Sequence, residues 1–417
     1  MKNSPKLRFP EFVNNGEWEE QELGKLGKFL GGGTPSKSVD EYWHGTIPWI
    51  SSSDINEDDL KTISITRFIN EKSVLESATK IVPKESVLFV SRVGTGKLAI
   101  NSIDLCTSQD FTNFIPIQIY NYFLGYYFLA NKSALTSLDQ GTSIKGFSKS
   151  DLEKFKLTYP KKKEEQQKIA DCLSSIDSLI SAQSQKVELL KEHKKALMQQ
   201  LFPQDTEEVP KLRFPEFKNA PKWEEKIFSS YIKLYRGSSP RPIREYLTQD
   251  VSGVNWIKIG DTKNAINSIL NKVEEKITPK GAEKSRKVKI GELILANSMS
   301  YGKTYELAIE GCIYDGWFVL REYEEHFYKP FLLQLLNSEY MQQQYKKLSA
   351  GGIVQNISGD IVNKTMLFHT SLQEQQKIAD CLNSVDEQIT SQARKLETLK
   401  EHKKALMQQL FPSKEVD

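Results

Sequence analysis

Four cysteines and five histidines are the only sulfur and imidazole ligands that 417 residues offer to a metal ion, and the four cysteines are all they offer to a disulfide. Cys106, Cys172, Cys312 and Cys381 lie far apart, with no Cys-x-x-Cys pair, which excludes a zinc motif and a disulfide framework and fits a reducing cytosol. His44, His193, His326, His369 and His402 show no ligand spacing, and His193 and His402 fall on polar helix faces. No apolar run reaches the roughly 18 residues of a membrane span. The opening MKNSPKLRFPEF has no apolar core, so neither a signal peptide nor a membrane is expected and the location is expected to be cytoplasmic. A net charge of only +3 gives no bulk attraction for nucleic acid, although a local basic surface remains open.

Catalytic signatures are missing too. The GKT of SYGKT (300–304) needs a glycine at 297 to make a phosphate cradle, and that residue is Asn297; RVGTGKL (92–98) has no Ser or Thr after Lys97. Asp261, Glu274 and Lys276 have a nuclease-like spacing, but no Glu-x-Lys follows Asp54 in the matching segment. There is no Asn-Pro-Pro-aromatic or Asp-Pro-Pro-aromatic tetrapeptide of the kind amino-methyltransferases use on a flipped base, and no glycine-rich dinucleotide fingerprint. The chain is expected not to be an enzyme, and to bind no metal or cofactor itself.

What is present is a repeat. PKLRFPEF occurs at 5–12 and at 210–217, and LKEHKKALMQQLFP at 190–203 and at 399–412. Offsets of 205 and 209 residues make each copy domain-sized. Between these ends the copies have diverged, although Trp18 matches Trp223, IPWISSSDI (47–55) matches VNWIKIGDT (254–262), Cys172 matches Cys381, and Cys106 is expected to match Cys312 in position.

Each copy opens with a mixed segment. SVLFV (86–90) and ELILA (292–296) predict strands, GGGTPS (31–36) and RGSSPRP (236–242) predict loops, and residues 123–138 and 329–348 predict helices. A long helix follows. In the first copy Ile169, Leu173, Ile176, Ile180, Gln183, Val187, Leu190, Lys194, Leu197 and Leu201 recur in alternating steps of four and three. Ile378, Leu382, Val385, Ile389, Gln392, Leu396, Leu399, Lys403, Leu406 and Leu410 repeat the pattern. A period of about 3.5 residues sustained over about five heptads is that of a coiled coil. Pro203 and Pro412 close the two helices. An antiparallel pairing of the helices fits this pattern, with the polar seam residues setting register. Packing of each helix on its own domain is the alternative.

The predicted loops carry side chains able to read base edges. They are Lys37, Arg92, Lys97, Lys145 and Lys149 in the first copy, and Arg241, Arg244, Asn297, Tyr301, Lys303, Gln355 and Asn356 in the second.

The segment G-T-P…Y-W…I-P-W (33–49), the turn FVSRVGTGK (89–97) and the block GTSIKGFSKSDLEKFKLTYP (141–160) leading into EEQQKIADCLSSID (164–177) carry a family resemblance. So does QNISGDIVNKTMLFHTSLQEQQKIADCLNSVD (355–386) in the second copy. On these residues the chain resembles the specificity subunits of Type I restriction-modification systems over almost its whole length. The resemblance implies an α+β chain with two mixed target recognition domains in tandem, joined by two long helices that form an antiparallel coiled coil. The boundaries expected are 1–160 and 210–370 for the domains, 161–203 and 371–412 for the helices, and 204–209 for a linker. It also implies that each domain reads one half of an asymmetric site in double-stranded DNA. The helices would set the spacing and dock two copies of the modification subunit, and restriction subunits would join to make the nuclease. S-adenosylmethionine, ATP and Mg are expected on those partner subunits. A fused subunit that itself methylates or cuts, and a scaffold with two protein-binding domains and no DNA role, are the alternatives. His369 and Thr370 replace the Tyr159–Pro160 of the first copy, which is expected to loosen the junction between strand and helix.

Overall fold

Val87–Val90 and Leu293–Ala296 are buried at every position, because each is an interior strand with both faces covered. The computed structural model describes residues 4–136, 146–204, 207–298, 302–349 and 356–412. It divides into two compact units, Met1–Ala182 with Leu396–Asp417, and Gln183–Lys395.

In the first unit, Val87–Val90 lies in an antiparallel sheet with Gly27–Gly31, Phe111–Pro116 and Leu98–Ile100. A second four-stranded sheet contains the parallel pair Ile47–Ile50 and Leu105–Thr107. In the second unit, Leu293–Ala296 is the middle strand of five, and a second five-stranded sheet again contains one parallel pair, Val254–Ile257 with Gly311–Ile313. Trp49 faces Cys106 in the first parallel pair and Trp256 faces Cys312 in the second, so these two cysteines occupy equivalent positions. Burial pushes both thiols up to about 11, and they are inert packing groups at neutral pH.

Each helix predicted in the mixed segments is broken in two. Residues 123–138 resolve into Asn121–Ala130 and Lys132–Thr136, with residues 137 and 138 outside the described set. At the break, Asn131 donates its amide to Tyr127 O at 3.0 Å, closing the turn. Residues 329–348 resolve into Lys329–Leu336 and Glu339–Ser349. Asn337 leaves the helix there to bond both N and O of Thr304, at 3.0 and 2.9 Å.

The long helices are Lys163–Leu201 and Leu372–Leu410, 39 residues each and about 58 Å long. Each begins in one unit and ends in the other. In the first unit Leu410 and Phe411 pack with Ile169, Leu173, Phe123 and Tyr127, and Asp177 pairs with Lys403 at 2.5 Å. In the second, Leu201 and Phe202 pack with Ile378, Leu382 and Phe331, and Lys194 pairs with Asp386 at 2.7 Å. Rising numbers on one segment meet falling numbers on the other, so the helical segments run antiparallel within each unit. Gln183 donates to Gln392 O and Oε1 at 2.9 and 3.0 Å. The seam positions Ile169, Leu173, Val187, Leu201, Ile378, Leu382, Val385 and Leu410 are buried. Ile176, Ile180, Leu190, Leu197, Ile389, Leu396, Leu399 and Leu406 are half-buried.

The repeated PKLRFPEF segment ties these pieces together. Leu7 N donates to Gln409 O at 3.0 Å and Leu212 N to Gln200 O at 2.9 Å, each satisfying a last-turn carbonyl that no helical amide can reach. Arg8 grips Glu165 through Nε and Nη2 at 2.8 and 2.9 Å, and the Trp18 indole donates to the same carboxylate at 3.1 Å. Arg213, Trp223 and Glu374 repeat this at 2.7, 2.8 and 3.3 Å. The next residue anchors the start of each helix. Gln166 donates to Pro160 O and accepts from Tyr120 N, and Gln375 donates to Thr370 O and accepts from Tyr328 N, all at 2.8 Å. The second junction is therefore not loosened. Thr370 adds a hydrogen bond to Glu374 at 2.6 Å, and Glu224 faces His369 in the same register as Glu19 faces Tyr159.

His369 does change the chemistry of that junction. It stacks on Tyr231 at 5.3 Å and lies 5.9 Å from His326 between ring centres. Burial, then the His326 charge, lowers its pKa below the ordinary histidine value. A lowered folded-state value means that the unfolded chain binds the proton more readily. The contribution is complete above the ordinary histidine pKa and is lost as pH falls from there through the lowered folded-state value. Hydrogen exchange of Met366–His369, corrected for intrinsic rates, should quicken between pH 7.5 and about 5.5. A His369→Tyr variant should show no such change; an equal change in the variant would refute the assignment.

Candidate nucleic-acid interface

In the second unit three separate loops meet at one end of the central sheet. Gly237 N donates to Trp317 O at 2.8 Å and Ser238 N to Ile313 O at 3.2 Å, which fixes the loop that carries Arg241 and Arg244. Asn297 N donates to Gly316 O, and Ile357 N to Asn297 O, both at 2.9 Å. These bonds bring the 297 and 356 segments together, and Ser298 and Asn356 form a bridge. Asp315 lies among them. It accepts from Ser239 at 2.5 Å, its carbonyl accepts from Asn297 and Arg236, and Arg241 stands 3.5 Å away. The Ser239 hydroxyl first, with Arg241 and Arg236 nearby, holds the Asp315 carboxyl below the usual range.

The first unit repeats the framework bond for bond. Gly32 N donates to Phe111 O at 3.2 Å, Gly33 N to Thr107 O at 2.8 Å, Ser91 N to Asp110 O at 2.8 Å, and Phe147 N to Ser91 O at 3.1 Å. The backbone scheme is common to both units, while the side chains on it differ: Ser91 stands where the second unit has Asn297, and Asp110 where it has Gly316. Gly32 and Gly237 are required by contact. A Cβ on either would lie 2.0 Å from a carbonyl oxygen, of Ser108 or Tyr314.

Lys37, Arg92, Lys149, Arg241, Arg244, Lys303 and Asn356 are exposed. Lys149 pairs with Glu153 at 3.4 Å on a short helix capped by Ser148. Lys97 is half-buried and reaches back to Ile55 O at 3.5 Å. Asn297 is 6% exposed and spends its amide on Asp315 O, so it holds the loop instead of presenting an edge to solvent. Partial withdrawal from water, then the charge of Lys194, lowers the pKa of Lys303. Lys145, Tyr301 and Gln355 lie outside the described residues.

Sequence reasoning passed over a second basic group beside the Arg241 loop. Arg286 donates to Arg236 O at 3.2 Å and lies 5.6 Å over Tyr235, and Lys284 lies 4.9 Å over Tyr246. The run Lys284, Arg286, Lys287, Lys289 was the available signal.

The residues with catalytic-looking spacing have structural work. Asp261 is buried and accepts from Lys258 N and Glu274 N at 2.8 and 3.1 Å; Glu274 pairs with Lys263 at 2.6 Å. Asp54, its counterpart, accepts from Ser51 N at 2.6 Å and pairs with Arg67, which stacks 4.7 Å over Trp49. Lys303 and Thr304 lie where a hairpin returns from Leu293–Ala296 into Thr304–Leu307, not at a helix start as a phosphate cradle requires. Among the described residues, no three His, Cys, Asp or Glu side chains gather as metal ligands, and no helix is long and apolar enough to cross a membrane.

A family model for the Type I restriction modification DNA specificity domain matches the chain twice, over residues 15–192 and 223–401. The chain belongs to this family. Each match takes in one mixed domain and most of the helix that follows it. The MjaVIII specificity subunit of Methanocaldococcus jannaschii, a Type I restriction enzyme component, is 25% identical over 98% of this chain and 94% of its own. The MjaIX specificity subunit of the same organism is 33% identical over 246 residues, so the chain spans about half of that relative, 54%. The Escherichia coli EcoR124I/EcoR124II specificity subunit is 31% identical over 40% of this chain and 43% of its own. Among solved structures, the S subunit of the Type I restriction-modification system from M. genitalium shares the fold, with a TM-score of 0.58 at 15% identity over 99% of this chain and all of that one. A chain from a study of assembly and conformational transition in a type I system has a TM-score of 0.62 at 15% identity, over 95% and 98%.

Proposed function

We propose that this chain supplies the DNA address of a Type I restriction-modification complex and leaves the chemistry to its partners. Each mixed domain reads one half of a bipartite, asymmetric site in duplex DNA through its three converging loops. The antiparallel helices act as a ruler that sets the half-site spacing, and they dock two copies of the modification subunit. In this reading S-adenosylmethionine sits on the modification subunits, which methylate adenine N6, while ATP and Mg serve the restriction subunits. The observation that carries the proposal is the repeated loop framework bearing unlike side chains. Two readers of different half-sites need such an arrangement, whereas a scaffold presenting two equal docking modules would gain nothing from it. The repeated helix sequence suits two copies of one partner.

The test is duplex DNA binding by the chain assembled with its modification subunit, at graded salt. Log affinity should fall linearly with log salt, as phosphate contacts release counterions. Replacing Arg241 and Arg244 with alanine should weaken binding about tenfold or more, with the larger loss on duplexes that carry the second half-site. Salt-insensitive binding, or none, would return the chain to the scaffold reading.

A further inference from the structure

In each unit a largely buried ion pair crosses between the helical segments, and each pair has a third member. In the first unit Asp177 meets Lys403, and Tyr126 donates its hydroxyl to the other carboxylate oxygen at 2.6 Å. The Lys403 ammonium also lies 5.6 Å over the Tyr126 ring and donates to Asp58 O at 3.4 Å. In the second unit Asp386 accepts from Lys194 at 2.7 Å and from Gln334 at 2.9 Å. The acid and the base are the same residues of the repeat, 209 positions apart in the chain. Tyr126 and Gln334 are equivalent too. Each stands six residues beyond the tyrosine, Tyr120 or Tyr328, whose amide is held by the helix-start glutamine.

The four charged side chains are 11–21% exposed. Burying them costs more than an apolar seam would, so helix pairing alone does not explain them. Direction does. Apolar contacts tolerate sliding and rotation, whereas a hydrogen bond to a carboxylate fails when its angle is lost. Each carboxylate collects one partner from the opposite helical segment and one from the mixed domain, so three elements are oriented at one point. Tyr126 remains a donor, because burial, and then its bond to Asp177, push its ionisation upward.

We infer that Asp177–Lys403–Tyr126 and Asp386–Lys194–Gln334 are positioning residues that fix the angle at which each recognition domain stands on the helices, and so sharpen the spacer length the complex accepts. This rests on the ruler reading above. Rod length sets the mean spacer, and the trios set the tolerance around it. One base pair rotates a half-site by about 35°, so a domain free to swing by that much would accept a spacer one pair too long or too short.

The experiment measures methylation by the assembled complex on duplexes whose half-sites are separated by graded spacers. Lys403→Met should reduce the discrimination between the preferred spacer and its neighbours about tenfold, Tyr126→Phe about threefold, and Lys403→Arg little. Both half-site sequences should still be required. Tyr126→Phe removes a single hydroxyl and decides the matter if Lys403→Met does not assemble. An unchanged spacer profile in Tyr126→Phe and in any assembled Lys403→Met complex, whatever their melting temperatures, would overturn the inference. A wild-type complex with no preferred spacer would remove the ruler reading, and this inference with it.

Discussion

Replacing Glu374 with alanine is expected to destabilise the second unit by about 3–5 kcal/mol while the first unit keeps its stability. The Glu374 carboxylate is 1% exposed and accepts four hydrogen bonds, two from Arg213, one from Trp223 and one from Thr370. Removing it strands the Arg213 guanidinium, itself 9% exposed, without a counter-charge, and leaves an indole and a hydroxyl short of an acceptor. The damage concentrates where the second PKLRFPEF strap, the strand pair Glu224–Ile227 with Met366–His369, and the start of the second long helix converge. Glu165→Ala should harm the first unit in the same way but somewhat less, because that carboxylate has three such bonds. Peptide-resolved hydrogen exchange under increasing urea gives the stability of each unit separately. Equal loss in both units from Glu374→Ala, or loss below about 1 kcal/mol, would show that the cluster does not hold the unit together.

Exchanging residues 13–160 for the matching segment of a relative should replace one half of the DNA site completely and leave the other half untouched. The boundaries suit the structure. The exchanged segment contains both small strands, Glu19–Glu22 and Lys156–Tyr159, and every framework bond of the first loop cluster. Arg8 and Glu165 remain in place to receive an incoming tryptophan equivalent to Trp18. Mapping methylated adenines in a host that carries the chimera would read out both halves at once. A change in both halves, or in neither, would mean that the two domains do not read independently.

The long helices were legible because a 3.5-residue period is visible wherever an apolar stripe stays narrow, and because Pro203 and Pro412 mark where it stops. The breaks at Asn131 and Asn337 were not. Residues 121–130 are buried nearly all round, so no stripe exists whose interruption could be seen. Asn337 leaves its helix for Thr304, a residue distant in the chain. The crossing of helix ends was implied by the antiparallel pairing, but the repeat left its alternative, packing of each helix on its own domain, open. Leu201–Phe202 and Leu410–Phe411 have the same neighbours in the sequence, so the chain alone does not say whether each pair returns to its own domain or closes the other. Among the loop residues, exposed Arg241 and Arg244 looked as they are. Asn297 has the composition of a reader and the placement of a brace, and only its bond to Asp315 separates the two. The basic group around Arg286 escaped notice because it lies on a strand, Arg286–Val288, outside the loops that composition had marked.

That crossing has a consequence for the order in which the protein is built. A chain leaves the ribosome from its N terminus, and domains generally fold in the order in which they emerge. Here the first unit is completed only by residues from Leu396 onward, whereas the second is complete by Lys395. The domain translated first is thus the last to be finished, waiting for Leu406, Leu410 and Phe411 to fill the gap beside Phe123 and Tyr127. A chain cut just after Lys395 would therefore keep every residue of its second unit and leave its first unit, although translated earlier, without the segment that closes it.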